Sequence, residues 1–401
     1  PKAQTERCLP MKTEKKRLFY LDVIRAVSAI LIVTYHFSFS LFLAGPYREV
    51  DILHGTANGS WGMTPVYCFF MVSGAALMSR YGREEKLDLR EFYRKRFLGI
   101  YPLFWIAYAI GFFAVYWQLG HFYDIPSWSF VWSVLGIDGW IVNWIPTFYM
   151  VGEWFLGSII MLYLAFPAVR HCWAKNRRLT MAASALAAGV LFWYHPFPMD
   201  IKQNPVVDLF YFLLGAWIEE GRHRLSGAAG GCSEWAAEGR HDLFGEGSEA
   251  GGRRAKRGGQ KKGFLLWWAS LLFLGVVFLV PVTGKLRTME LTVSAGAYGL
   301  GMFLRQVFIR LTACAFYLFL MGLSGRLERS VHGKKIIMEI SGKSYGIFLT
   351  HHMVSQLICR HFDGANLSRR EVLAVLALIF LATWVVTLII YRIESYIKEK
   401  F

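Results

Sequence analysis

Residues 18–43 read LFYLDVIRAVSAILIVTYHFSFSLFL, an apolar run interrupted by one charged pair, Asp22 and Arg25, and by His36. A helix rises about 1.5 Å per residue and the hydrocarbon core of a bilayer is about 30 Å thick, so this run is long enough to cross with tilt. The basic stretch before it, PKAQTERCLPMKTEKKR, is followed by no small-residue cleavage site, and the run reads as a retained span.

Nine further apolar blocks follow, at 64–79, 97–117, 149–169, 180–194, 206–218, 264–281, 303–323, 344–359 and 372–391. Of the 401 residues 55% are hydrophobic and 18% charged, where a soluble chain carries roughly 25% charge. Mean hydropathy is +0.36. The expected fold is all-α, a polytopic membrane protein of about ten transmembrane helices. Its parts are an N-tail at 1–17, a membrane domain at 18–392 and a C-tail at 393–401. The aromatic stretch HFYDIPSWSFVWSVLGIDGWIVNWIP at 121–146 suits an interfacial or re-entrant segment, and the Gly-rich, charged stretch 221–263 a flexible linker.

The net charge of +16 would suggest nucleic acid in a soluble chain. Here the basic residues lie between apolar blocks, 34 of them on the side of the two tails and 6 on the other, so no nucleic acid is expected. Positive residues mark the cytoplasmic face, which puts both termini in the cytoplasm and the chain in the plasma membrane, with lipid as a partner. Six cysteines without paired spacing indicate neither a disulfide framework nor a metal site.

Ionisable groups inside a span are costly and need a reason. Asp22 and Arg25 are three residues apart and can pair; His36 follows Arg25 by eleven residues, about three turns, on the same face. In SGKSYGIFLTHH (341–352), Ser344 and His351 share a face, as do Tyr345 and His352, and adjacent histidines diverge, so one of the two is expected at any common cavity. Arg94, Lys95 and Arg96, before the third span, could hold a phosphorylated cofactor or serve only as a topology signal. Glu153 and Trp154 open the fourth span, in an outer cavity or in the headgroup zone.

LFYLDVIRAVSAILIVTYH resembles the first helix of acyltransferase family three, multispanning O-acyltransferases with an Asp-x-x-Arg start and a His eleven residues after the Arg. YCFFMVSGAAL, FYRKRFLGIYPLFW, EWFLGSIIMLYLAFP and SGKSYGIFLTHH follow in the family's order, so the resemblance covers roughly 18–392. It implies transfer of an acyl group, usually acetyl, from cytoplasmic acyl-CoA to a hydroxyl of an extracytoplasmic glycan or related surface molecule. His36 then matches the essential histidine and Arg25 the intramembrane arginine. Arg96 matches the first member of an arginine pair whose second position is here Gly99; Arg94 or Lys95 are candidates to supply the charge. Asp22 and Arg25 would orient the first helix or stabilise developing oxyanion charge, and Glu153, Trp154, Tyr345 and His351 are expected on the acceptor side. A non-enzymatic transporter or flippase of glycans would also explain the spans, though no inverted repeat is visible.

Overall fold

The computed structural model describes residues 17–44, 61–82, 84, 86–121, 124–141, 144–148, 153–197, 199–238, 267–275, 299–364 and 366–400. Every regular element among them is helical: α1 (Phe19–Ala44), α2 (Met63–Tyr81), α3 (Leu89–Leu119), α4 (Phe130–Leu135), α5 (Asp138–Ile141), α6 (Glu153–Trp193) and α7 (Pro205–Glu238), then α8 at 267–275, α9 (Leu300–Leu327), α10 (Val331–Cys359) and α11 (Arg369–Lys400).

Local chemistry sets the ends. Asp88 caps α3 by accepting from Glu91 N–H at 3.0 Å, and Gly120, at φ 74°, ends it in the left-handed region, where glycine has no Cβ to clash. Ser330 caps α10 through Gly333 N–H. Ser368 and Glu371 form a reciprocal box at the start of α11, Ser368 N–H donating to the Glu371 carboxylate at 2.7 Å. Inside α6 the extended Asn176 (φ −156°) breaks the helix, and its side chain accepts from Leu179 N–H at 3.0 Å, capping a second arm. The fourth and fifth expected spans are those two arms.

Several boundaries differ from expectation. α7 continues to Glu238, into the stretch expected as a linker; the rest of that stretch, 239–263, lies outside the described residues. α10 begins at Val331, well before the expected Ser344, because the charged residues of its first turns sit at a helix end where long side chains reach polar surroundings. α11 runs through the expected C-tail to Lys400. Of the seventh expected span only 267–275 is described, and of the N-tail only Arg17.

Among the described residues five helical stretches are long and apolar enough to cross a membrane, in α1, α3, α6, α9 and α11. α2 and α10 are less apolar because they lie inside: Ser341, Ser344, Thr350, His351 and Ser355 of α10 are all buried. α11 leaves Leu373, Leu381, Val385 and Leu388 exposed, an apolar surface suited to lipid. α2 and α7 cross at Gly74 and Gly215, each so close to the opposite backbone that a Cβ would collide with it, at Phe212 and Met71 respectively. α1 packs against α2, α9 and α10, with Val23, Ile24, Ala29 and Val33 fully covered.

Candidate active site

The foot of α1 is fixed by two ionic clusters. Asp22, 1% exposed, accepts from Arg17 Nε at 2.7 Å and Nη2 at 2.8 Å and from Ser341 Oγ of α10 at 2.7 Å. The expected Asp22–Arg25 pair is present but longer, Arg25 Nη1 standing 3.6 Å from Oδ1. Arg17 takes the bidentate position, as its planar fork matches a carboxylate. On the other side, Tyr20 donates its hydroxyl to the buried Glu219 of α7, which Arg222 also grips at 2.7 and 2.8 Å.

Freed of most of that pairing, Arg25 lines a cavity of about 280 Å³ between α1, α2, α3, α6, α10 and α11. Ser73, Gly99, Tyr163, Tyr345 and Glu394 give it polar or open wall, while Leu103, Ile159 and Phe348 are apolar. Tyr345, expected on the acceptor side, instead lies here toward the basic end of the bundle, and its hydroxyl donates to Ile100 O at 3.1 Å. The reason is its register: it precedes His352 by two turns of α10.

Three imidazoles meet one turn of α10 beyond the cavity. The ring of His36 lies 4.9 Å from that of His351 and 4.9 Å from that of His352, centroid to centroid. One histidine of the adjacent pair was expected at such a place; both are there, because α1 packs over the sector between the two diverging side chains and His36 fills it. The Phe348 ring stands between, lining the cavity and lying 5.8 Å from the His351 ring.

The basic cluster of α3 divides. Lys95 pairs with Glu91 and Arg94 is exposed, and neither is among the residues lining the cavity. Arg96 lies with its guanidinium 5.6 Å from the ring centroid of Tyr163, a cavity wall residue, and Gly99 leaves open space, a Cβ there meeting nothing within 4 Å. Trp154 packs edge-on to Phe155, which is the residue of that pair lining the cavity; the side chain of Glu153 lies outside the described residues.

Residues 18–392 match the acyltransferase domain model. The chain belongs to acyltransferase family 3. It is similar to acyltransferase MdmB of Streptomyces mycarofaciens, 28% identical over 213 residues that make up 50% of this chain and 53% of the relative, so the match spans about half the length of each. No solved structure matches it.

Sequence reasoning missed several polar partners in this family member. Arg17 precedes the apolar run and carried no pattern, and Ser341 is a small residue without charge. A second interior group was also hidden: Arg310 of α9 is 4% exposed, its guanidinium 4.0 Å from the Phe192 ring centroid, and the carboxylate of Asp208 on α7 is wholly buried. A charge at the centre of an apolar block was the one signal available for Arg310.

Proposed function

We propose that this acyltransferase moves an acyl group, usually acetyl, from cytoplasmic acyl-CoA to a hydroxyl of an extracytoplasmic glycan or related surface molecule. The observation that carries the reading is His36, held between two further imidazoles one helical turn beyond a cavity whose other end bears Arg25.

The residues suit the donor. Arg96 and Arg25 provide guanidinium groups at the basic end, matched to phosphate oxygens of CoA. The cavity between them and His36 is narrow and partly apolar, suited to the thioester arm. His36 acts as general base on the acceptor hydroxyl, the neutral imidazole offering a ring-nitrogen lone pair to the hydroxyl proton. The hydroxyl oxygen bonds to the acyl carbon, the carbon–sulfur bond breaks, and CoA leaves as its thiol with the proton.

The test is label transfer in native membranes, which carry the acceptor, from radiolabelled acetyl-, propionyl- and butyryl-CoA. Transfer that His36→Ala abolishes at unchanged expression supports the reading. A protein that releases no thiol and transfers no label from any of these donors overturns it, as does wild-type activity in His36→Ala.

A further inference from the structure

His351 is buried, 2% exposed, in the middle of α10. Its Nδ1 lies 2.6 Å from Phe348 O and 3.2 Å from Ile347 O, both of its own helix. A carbonyl can only accept, so Nδ1 carries the hydrogen and, in the neutral ring, Nε2 carries the lone pair. That Nε2 is buried with no hydrogen-bond partner. A histidine serving only to pack would leave an acceptor unsatisfied at a cost of about 1–3 kcal/mol that leucine or phenylalanine avoids. The unsatisfied atom belongs to a ring 4.9 Å from His36.

We propose that His351 is a positioning residue of the acyl-transfer centre: its Nε2 lone pair, unpartnered in this structure, is the acceptor that takes the N–H of His36 when the substrates are bound. The assignment rests on His36 being the base of the reaction. With one nitrogen of His36 committed as donor, the other is the lone pair that faces the acceptor hydroxyl. When that nitrogen takes the hydroxyl proton, the His36 imidazolium donates more strongly to Nε2 and is stabilised there. As the carbon–sulfur bond breaks, the proton passes from His36 to the departing CoA sulfur, and His351 ends as it began. A carboxylate plays the corresponding part for the histidine of serine hydrolases; here a neutral ring, fixed by the Phe348 carbonyl, takes that place without burying another charge.

Two amide replacements separate this role from a structural one. Asparagine retains an N–H where Nδ1 stands and so keeps the bond to Phe348 O, but offers nothing at Nε2. Glutamine sets an amide oxygen near the Nε2 position and gives up the backbone bond. With label transfer from radiolabelled acetyl-, propionyl- and butyryl-CoA in native membranes as the readout, His351→Asn is expected to lose kcat by about 10²-fold with the donor KM unchanged. His351→Gln is expected to stay within about tenfold of wild type. Both should elute as the wild type does after detergent extraction.

Wild-type kcat in His351→Asn, or damage confined to KM, overturns the assignment while leaving the acyl-transfer reading intact. If His351→Asn fails to fold, a folded His351→Gln that loses more than about 10²-fold in kcat overturns it equally. No transfer by the wild type from any donor overturns the acyl-transfer reading, and the assignment falls with it.

Discussion

The Phe348 ring lies 4.7 Å from the Phe155 ring, centroid to centroid, and this pair stands at the end of the cavity nearest the three histidines. Tilted aromatic rings at that separation pack without a gap for water. Replacing Phe348 with alanine removes one half of the partition. Thiol release from acetyl-CoA without acceptor is expected to rise several-fold relative to label transfer, measured with a thiol reagent on detergent-purified protein; an unchanged ratio would mean that the pair excludes nothing.

Ser341 Oγ donates to a carboxylate with 1% exposure, a bond between α1 and α10. Ser341→Ala takes away one charge-assisted partner and is expected to lower stability by about 1.5–3 kcal/mol, seen as a lower unfolding temperature in detergent. The donor KM should be little affected.

At the crossing of α2 and α7, Gly215 faces the backbone at Met71. Gly215→Val places two methyl groups where main chain lies, and no rotamer relieves a clash with backbone. The expected result is loss of folded protein on size-exclusion chromatography, whereas Gly221→Ala, on the same helix with open space around it, should elute normally.

Gly99 has room and faces the cavity beside Arg25. Gly99→Arg restores the paired arginine pattern, removes a helix-interior glycine worth up to about 1 kcal/mol, and sets a second guanidinium beside Arg25. Folding should be retained and the KM for acyl-CoA should fall, read from initial rates over a donor titration. A higher KM would place the CoA phosphates elsewhere.

The elements were legible because a lipid environment writes a coarse pattern: long apolar runs separated by basic turns. That pattern is blind to where a helix ends once it leaves the apolar zone, which is why α7, α10 and α11 overran their expected limits. It is also blind to a capped break, since Asn176 is an ordinary polar residue until its side chain is seen accepting from Leu179 N–H. At the site, Asp22, Arg25 and His36 stood out as costly residues in a costly place. Their partners did not. Arg17 lies outside the run, Ser341 is uncharged, and the approach of both His351 and His352 to His36 depends on how α1 and α10 are rotated against each other, a tertiary quantity that spacing along one helix cannot supply.

The ionic fastening at the base of α1 has a mechanical consequence. His36 stands fourteen residues beyond Asp22 on the same rod, about 21 Å along the axis. A tilt of about 3° at the base swings the imidazole by about 1 Å, and a displacement of that size at a reacting centre costs on the order of 10²-fold in rate. Arg17, Ser341 and Glu219 thus act on the imidazole through leverage, and a lesion at any of them will register as lost turnover in a protein that still inserts, folds and holds its donor.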